Sequence, residues 1–230
     1  MAEVPSRTIV RANALQAATL FASDDAARNY LRGAFIDSLP EGAAILASDG
    51  HALVAHCDDG ALVEGVPKIW RTPDKELRAL IKAASPLVGA EVVWTVLTRY
   101  QVSIVVAEGP AQVLDGTARV VGSITGDFIV DTSFVDWRRT LQTHRVLEPG
   151  DALPTINAKF LERCDKFART LDPGSRFGTG LLLRASAGKA VRVALQGHRN
   201  TAILVMGMGG PDYSEPEWLT PSDSRLDEAA

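Results

Sequence analysis

The sequence predicts an α+β protein in which helices pack on one face of antiparallel sheets. Three times along the chain, a short extended segment is followed by an amphipathic helix and then by alternating apolar segments. Turn-forming residues separate those apolar segments, as at 40–42 (PEG) and at Asp49-Gly50. With 46% hydrophobic and 23% charged residues over 230 positions, the composition suits one large core or two small ones.

The first unit begins with an extended segment at 7–10 and continues into a helix. Asn13 is the expected N-cap of this helix, because a short polar side chain can accept a hydrogen bond from a free N–H of the first turn. The apolar helix positions are Leu15, Ala18, Leu20 and Phe21. Three strands are then expected, at 31–37, 43–48 and 53–56.

The second unit opens with a strand at 68–71. Its helix is predicted to begin at Thr72-Pro73, with the threonine as cap and the proline in the first turn, and to end before Ser85-Pro86. The apolar stripe of this helix consists of Leu77, Leu80, Ile81 and Ala84. Four strands are expected after it, at 92–97, 102–107, 118–123 and 128–131.

In the third unit, Asn157 is the predicted N-cap of a helix that stops at 172–174 (DPG). The side chains expected to face inward are Phe160, Leu161, Cys164, Phe167, Ala168 and Leu171. Three strands complete the unit, at 180–185, 190–194 and 201–205.

The net charge of −4 is unevenly distributed along the chain. Residues 210–230 carry six acidic side chains and a single basic one, Arg225, so the remaining body is close to neutral. Three prolines in the same stretch favour an extended acidic tail over a packed segment. Within that tail, Trp218-Leu219 is either an anchor that docks on a surface or an incidental apolar pair.

Neither a membrane protein nor a disulfide-stabilised protein is indicated. No apolar run approaches the roughly 20 residues of a membrane span, and residues 1–5 lack a basic start followed by an apolar core. We therefore expect a cytoplasmic protein. Cys57 and Cys164 lie far apart without any partner spacing, which favours reduced, partly buried thiols.

No pattern indicates a catalytic, metal or cofactor site. His51 and His56 lie an odd number of residues apart, so on one strand they would point to opposite faces, even with Cys57, Asp58 and Asp59 nearby. Ser48, Asp49 and His51 are too close in sequence to line up as nucleophile, orienting group and base. The stretch 174–180 lacks the Lys-Ser/Thr ending of a phosphate loop. We expect a protein without enzymatic activity.

Two of the three helices carry cations at helical spacing. They are Lys75, Arg78 and Lys82 in the second unit and Lys159, Arg163, Lys166 and Arg169 in the third. Such rows can contact nucleic-acid phosphates without reading sequence. A solvated charged face is the other interpretation, because Glu76, Glu162 and Asp165 lie beside these cations. The first helix, with Asn13, Gln16 and Thr19 on its polar side, adds no positive charge.

Six short segments together resemble the bacterial sliding clamp family, the beta subunit of the replicative DNA polymerase. They are 30–33 (YLRG), 47–53 (ASDGHAL), 126–129 (GDFI), 135–139 (VDWRR), 157–161 (NAKFL) and 203–208 (ILVMGM). The first four are similar to the family's middle domain, and the last two to the second half of its last domain. The resemblance implies a clamp-like fold in a shortened chain, with two units of one domain related by a pseudo-twofold axis.

For domain organisation, the resemblance implies a complete domain at 1–143, a half domain at 144–209 and the acidic tail at 210–230. A half domain would expose an unpaired sheet edge and an apolar helix face. We therefore expect an oligomer in which third units complete one another or a partner. Trp137 is expected to pin the connection between domains against the sheet. For Arg138 and Arg139, contact with a neighbouring chain and contact with DNA both stay open, because no spacing rule selects between them.

For function, the resemblance implies a replication or repair accessory protein that tethers its partners to double-stranded DNA, with the helix cations facing the duplex. It also implies a pocket for short peptides of DNA polymerases or other replication proteins. The pocket residues carried over are Leu31, Ser48, Gly50, His51, Leu53, Val205, Met206 and Met208. Ala52 and Gly207 depart from the family, which has arginine and proline there. The alternative is a clamp-derived interaction module that does not encircle DNA.

Overall fold

The computed structural model describes residues 7–71, 73–87, 91–147, 153–174 and 179–208. The strands are β1 (Arg7–Arg11), β2 (Ala34–Ser38), β3 (Ala43–Ser48), β4 (Ala52–Asp58), β5 (Leu62–Glu64), β6 (Lys68–Trp70), β7 (Val92–Thr98), β8 (Gln101–Ala107), β9 (Arg119–Thr125), β10 (Ile129–Val130), β11 (Leu181–Ser186), β12 (Ala190–Leu195) and β13 (Thr201–Met206). The helices are α1 (Ala12–Thr19), α2 (Asp74–Ala84), α3 (Pro110–Leu114), α4 (Trp137–Thr143) and α5 (Ala158–Leu171), with short 3₁₀ turns at Asn29–Leu31 and Ser85–Leu87.

The strands form two antiparallel sheets, which confirms the predicted α+β class. One sheet has the order β5-β1-β7-β8-β9, and the other has the order β10-β6-β2-β3-β4-β13-β12-β11. The first strand of each of the first two units joins the other unit's sheet: β1 pairs with β7, and β6 pairs with β2. The first and second units are therefore interlocked and share one core.

The third unit extends the larger sheet through pairing of β13 with β4. The register runs from Thr201 opposite His56 to Val205 opposite Ala52. Beyond the ladder, Cys57 N–H donates to the Asn200 carbonyl at 2.8 Å, and the Asn200 side chain donates to the Cys57 carbonyl at 2.7 Å. One edge of the third unit thus finds its complement within the same chain.

The free edge of the third unit lies at β11. The short segment 145–147 pairs with its C-terminal end, where Leu147 N–H donates to Ala185 O at 3.0 Å. Within the described part of the chain, no strand pairs with the outer side of residues 181–184. This edge includes Leu182, whose side chain is 53% exposed. The predicted unpaired edge is therefore present, but only on one side of the unit.

The three long helices form a layer in which α1 lies between α5 and α2. Helix α1 can occupy this position because its buried residues are mostly alanines, at positions 12, 14, 17 and 18. Against it, α5 buries Cys164, Phe167 and Ala168, and the ring of Phe167 meets that of Phe21 edge-on at 5.9 Å. These helix side chains and the inner faces of both sheets form one hydrophobic core.

The start of α1 differs from the prediction. The helix begins at Ala12, and Arg11 at the N-cap position provides no side-chain cap. Instead, the Arg11 backbone N–H donates to the buried Asp58 carboxylate at 2.7 Å. The Asn13 side chain donates to the Leu171 carbonyl at the end of α5, 2.7 Å away. The prediction of Asn13 as the N-cap is wrong because this polar side chain joins two helices.

Other boundaries are close to the predictions. The helix of the second unit begins at Asp74, and the proposed cap Thr72 lies outside the described residues. Asn157 caps α5 as predicted, because its side chain accepts from the Lys159 N–H at 3.0 Å. Leu20 and Phe21 follow the end of α1 instead of lying within it. The short elements β5, α3 and α4 were not predicted. Among the described residues, no helix is long and apolar enough to cross a membrane.

His56 is buried in this core on the inner face of β4. Its ring lies 6.1 Å from that of Phe167, and its Nδ1 lies 2.9 Å from the Thr201 hydroxyl. Burial lowers the pKa of His56 to about 4, and the nearby positive charges of His198 and Arg11 add to this effect. The folded protein therefore holds His56 in its neutral form at neutral pH.

We predict that His56 makes the folded state less stable as the pH falls. The unfolded chain, with a histidine pKa of 6.5, binds the proton more readily than the folded protein does. The free energy of unfolding should therefore decrease from pH 6.5 to about 4 and level off below, by roughly 3 kcal/mol in total.

Urea unfolding of the wild type and of His56→Asn over this pH range measures the effect, because the contributions of other groups cancel in the difference. The difference in free energy of unfolding between the wild type and His56→Asn should decrease as the pH falls. Parallel curves would show that His56 does not titrate as described.

Candidate functional site

The turn between β3 and β4 is held by side-chain hydrogen bonds. The Asp49 carboxylate accepts from the N–H groups of His51 and Ala52, both at 2.8 Å, and the Ser48 hydroxyl accepts from Gly50 N–H at 3.1 Å. Gly50 has a φ of +90°, which favours glycine, and a Cβ there would lie 2.6 Å from the Arg28 guanidinium. The turn therefore has a defined shape that places His51 at the surface.

Asp49 also connects this turn to α5. Its carboxylate lies 2.6 Å from the Arg163 guanidinium, which in turn lies over the rings of Phe21 and Phe160 at 5.4 and 5.2 Å. Burial alone would raise the pKa of Asp49, but the Arg163 hydrogen bond and the two backbone N–H groups outweigh it and lower the pKa. The ionised pair thus fixes the turn against the helix.

The two halves of the predicted peptide pocket lie side by side. Met206 N–H donates to His51 O at 2.8 Å, directly beyond the last residues of the β4–β13 ladder. On the outer face of the sheet, Leu53, Ala190 and Leu204 form a cluster that Met206 packs against. The structure therefore brings together motifs that lie about 150 residues apart in the sequence.

The predicted pocket residues differ in their accessibility. Gly50, His51 and Met208 are exposed and Met206 is half-buried, so these four can meet a ligand. Ser48, Leu53 and Leu31 are almost fully buried and form the floor and support of this region. Val205 is completely buried among the residues of the main core, so its side chain is not accessible from the surface.

One side of this region is covered by α4 and the segment before it. Phe134, Trp137 and Leu141 pack against the outer face of the sheet. The Trp137 indole N–H donates to the Asp37 carboxylate at 3.1 Å, and Arg138 pairs with the same carboxylate at 2.5 Å while lying 4.3 Å over the indole ring. Trp137 therefore anchors the connection to the sheet, and the contact of Arg138 is with Asp37.

The C-terminal end of α4 is fixed by the third unit. The Arg192 guanidinium donates to the carbonyls of Leu141 and His144, at 2.5 and 3.2 Å. The Ser186 hydroxyl donates to the His144 carbonyl as well. A cation at this position complements the unpaired carbonyls of a helix terminus. Helix α4 is thus held by side-chain contacts at both of its ends.

The helix cations divide into paired and unpaired groups. Lys166 pairs with Glu162 at 2.7 Å and Arg169 pairs with Asp165 at 2.8 Å, both one turn apart on α5. Lys75, Lys82 and Lys159 are exposed, and among the described residues none lies within ion-pair distance of a carboxylate. Arg78 is exposed on α2. The side chains of Lys75, Lys82 and Lys159 are therefore the ones available to an anionic ligand without breaking a pair.

The residues considered for a metal site are separated by the sheet. His51 lies at the exposed turn, whereas His56 and Asp58 are buried on the inner face, and Asp58 accepts from the backbone of Arg11 and Gly60. Within the described ranges, no three His, Cys, Asp or Glu side chains are placed to hold a metal ion. Both cysteines are free, and burial raises the pKa of the Cys164 thiol to about 12.

Long-range partners are what the sequence analysis missed. Asp37 and Asp49 receive Arg138 and Arg163, which lie more than 100 residues further along the chain. No spacing pattern could identify these pairs, because each depends on how the units are arranged. The sequence analysis assigned Asp49 to a turn and rejected it as a member of a catalytic triad, and it gave Asp37 no side-chain role.

The departure from the family at Gly207 has a local explanation. The Gly207 N–H donates to the Lys189 carbonyl at 2.8 Å, and a Cβ on Gly207 would overlap that carbonyl oxygen. Proline has no N–H to donate. The backbone of this chain therefore requires glycine where the family has proline. Ala52 is likewise buried, so an arginine there would have to enter the core.

We predict that Gly207→Pro lowers the free energy of unfolding by about 2–4 kcal/mol, because a hydrogen bond is lost and the ring overlaps Lys189 O. Chemical denaturation measures this loss. Gly109→Ala is the matched control, since a Cβ there meets no atom within 4 Å, and it should change the stability by less than about 1 kcal/mol. Equal stability of the Gly207→Pro variant and the wild type would contradict the described backbone.

Comparisons with known proteins give a likeness in structure only. No protein-family model matches the sequence, and neither does any curated protein. Among solved structures, the chain is similar to DNA polymerase III subunit beta from Borrelia burgdorferi, with a TM-score of 0.54 and 9% identity over 89% of this chain. The sliding clamp from Bartonella birtlesii, bound to griselimycin, gives a TM-score of 0.54 and 15% identity over 91% of this chain.

A third similar structure is DNA polymerase III subunit beta from Pseudomonas aeruginosa, with a TM-score of 0.53 and 16% identity over 90% of this chain. The chain spans 64–68% of the length of these three clamp chains. These TM-scores establish a shared architecture. Because the sequence identities are low, the function has to be argued from the site. Together with the interlocked units and the shared sheet, they show that this chain has the fold of the bacterial sliding clamps, DNA polymerase III subunit beta.

Proposed function

We propose that the protein is a sliding-clamp-like accessory factor of DNA replication or repair, which holds partner proteins on double-stranded DNA without sequence specificity. The observation that carries this proposal is the layer of α5, α1 and α2 on a continuous eight-stranded sheet, in a fold shared with sliding clamps. In this function the protein supplies attachment and no chemical step, so no catalytic residue is assigned.

The contact with DNA rests on cations that are already exposed. Lys75, Lys82 and Lys159 project from the two outer helices of the layer, and their ammonium groups have no carboxylate partner among the described residues. Lysine is a flexible point charge, which suits contact with a phosphate backbone at changing positions. Contacts of this kind are salt-dependent and independent of base sequence. Arg163 has a structural role in its pair with Asp49 and is assigned a weaker contribution.

Enclosure of DNA needs more than one copy of the described fold. The outer side of β11 at residues 181–184 offers free backbone groups and the exposed Leu182, and a strand edge of this kind pairs readily with another strand. Pairing between third units is the arrangement we propose for a homo-oligomer. The domain boundaries at 143 and 209 remain part of this proposal, and residues 209–230, including the whole acidic tail, lie outside the described residues.

We predict that replacing Lys75, Lys82 and Lys159 together by glutamine weakens binding to duplexes of unrelated sequence to the same extent. Each lost phosphate contact should reduce the slope of log K against log salt by about 1. Fluorescence anisotropy between 50 and 200 mM salt measures both effects. Arg199→Gln, which removes an exposed cation from the β12–β13 turn, is the control and should leave the slope unchanged.

The same preparation can be tested for enclosure by retention on circular DNA, before and after the circle is cut. Loss of retention on cutting, together with a solution mass above that of one chain, supports a ring. A wild-type protein that does not bind DNA at low salt would contradict the DNA-tethering function.

A second candidate function is an interaction module of clamp type that binds replication proteins without encircling DNA. The observation that favours it is the surface beside Met206, His51 and Met208, where an apolar cluster meets a polar turn. Methionine adapts to several related ligands because its side chain is flexible and polarizable. The pairing of Arg163, Lys166 and Arg169 with carboxylates, which dilutes the positive charge of α5, favours the same candidate.

Griselimycin, which is bound by the Bartonella birtlesii clamp, is a suitable probe of this surface. We predict that the wild-type protein binds it and that Met206→Glu weakens binding at least tenfold, because a carboxylate would be desolvated in the complex. Isothermal calorimetry provides the measurement. Leu182→Glu changes an exposed residue on the outer face of β11, away from His51, and is the control with unchanged affinity. Equal affinities of the wild type and the Met206→Glu variant would exclude this surface as the binding site.

A further inference from the structure

A polar cavity of about 200 Å³ lies between the end of α1, the residues before β2 and the residue after β6. Its lining includes Thr19 and Ser23, which lie at and just after the end of α1, together with Arg32 and Arg71. A water molecule occupies about 30 Å³ in the liquid, so the cavity can hold several waters or one phosphoryl group with its ester oxygens. None of the predicted DNA or peptide contacts includes a residue of this cavity.

The side chains of both cavity arginines are unengaged within the described part of the chain. Among the described residues, neither Arg32 nor Arg71 donates a side-chain hydrogen bond or forms an ion pair. By contrast, Arg11, Arg138 and Arg163 are each engaged by a carboxylate. A guanidinium group carries five N–H donors in a planar arrangement that matches the oxygens of a phosphate. Two such groups at one cavity therefore form a site for an oxyanion.

The backbone brings the two arginines to the same cavity by a close approach. A Cβ on Gly33 would overlap the Trp70 carbonyl and lie 3.1 Å from Arg71 N. Only glycine allows this contact, which places the residues before and after it next to the end of β6. Arg71 N–H is itself fixed by donation to Phe128 O at 2.8 Å. The positions of both arginine backbones are thus set before any ligand binds.

The hydroxyl groups of the lining are arranged to serve different roles. Thr19 donates its hydroxyl proton to the Gln16 carbonyl at 2.8 Å, so this proton is not available to an anion. The Ser23 hydroxyl accepts from Asp25 N–H at 3.1 Å, which leaves its own proton free to donate. Ser23 N–H is bonded to Leu31 O at 2.8 Å, which holds this wall in place. Ser23 is therefore a third donor for an oxyanion.

Asp24 opposes the two cations, because its exposed carboxylate also belongs to the lining. It forms no ion pair with either arginine in the described structure. An anionic ligand therefore meets a repulsive charge as well as the attractive ones. This arrangement gives the cavity a residue whose neutralisation should strengthen binding, which is the opposite of the effect expected for the arginines.

The cavity lies at the end of the half-buried polar row of α1. Asn13, Gln16 and Thr19 are the half-buried residues at steps of three on α1, whereas most of its other side chains are buried. Thr19 ends this row and lines the cavity. Arg71 lies four residues before Lys75, an exposed cation of α2. The cavity thus places positive charge beside α1, which carries none of its own.

We propose that the cavity formed by Arg32, Arg71 and Ser23 binds a backbone phosphate of double-stranded DNA. This inference rests on the proposed DNA-tethering function for the source of the phosphate, whereas the oxyanion site itself rests on the cavity alone. The bound phosphate fixes one point of the duplex beside the end of α1, and the lysines of the helix layer contact the neighbouring phosphates.

The experiment is a modification assay with phenylglyoxal, which reacts with accessible arginine side chains, read by mass spectrometry of peptides from the full chain. A 30-base-pair duplex and inorganic phosphate are the two probes. Duplex DNA should slow the modification of Arg32 and Arg71 at least fivefold and leave that of Arg199 unchanged. Millimolar inorganic phosphate should protect the same two arginines at lower occupancy.

Binding measurements with variants complete the test. Arg32→Gln and Arg71→Gln should each weaken duplex binding about fivefold to tenfold and reduce the salt slope by about 1, and Asp24→Asn should strengthen binding about threefold. Arg71→Lys keeps the charge and should recover part of the affinity. Urea unfolding of each variant separates these effects from loss of folding. Little loss is expected, because among the described residues none of the changed side chains has a hydrogen-bond or ion-pair partner.

The outcomes of these experiments distinguish failure of the phosphate site from failure of the proposed DNA-tethering function. If neither probe protects the arginines and their variants bind DNA as the wild type does, the phosphate site is overturned even though the protein binds DNA. Protection by inorganic phosphate without protection by DNA overturns the assignment to a DNA phosphate. If the wild type binds no DNA at all, the proposed function fails, and protection by phosphate alone then identifies a site for a free oxyanion.

Discussion

The pairing of β4 with β13 is the constraint on which the rest of the structure depends. It joins the last described strand of the chain to the first unit, so that two stretches of chain share one sheet and one core. The alignment also determines which side chains meet at the surface, because a shift of one residue would exchange the two faces of β13. His51 and Met206 are neighbours, and α5 lies against α1, only in this register.

The sequence was sufficient to predict most of the elements, because their signals are local. Apolar alternation located β3, β7 and β12 within a residue or two, and the Asn157 cap located the start of α5. Short elements such as β5 and α4 escaped because neither segment shows a clear apolar repeat. The wrong prediction for Asn13 has another origin. Its side chain is suited to capping, but it donates a hydrogen bond to the carbonyl of Leu171, 158 positions away.

The sequence was sufficient to name the residues of the candidate site, but not to show which of them are buried or already paired. The resemblance named residues from both halves of the chain, and the sheet places those halves together. Sequence could not show that Val205 points into the core, that Arg163 is held by Asp49, or that Arg32 and Arg71 reach one cavity. Each of these depends on long-range register and on which cations already have partners. Charge spacing along a helix therefore identifies candidates, and only the fold separates engaged charges from available ones.

The alanines of α1 have a consequence for how this protein can change over evolutionary time. Because α1 is enclosed by α5, α2 and the sheets, its small side chains set the spacing between the helices on either side. A larger residue at Ala14 or Ala18 would push apart neighbours that belong to different units. A larger side chain at either position can be accepted only if a facing side chain in α5 or α2 becomes smaller. Divergent descendants of this chain should therefore show correlated changes across this helix.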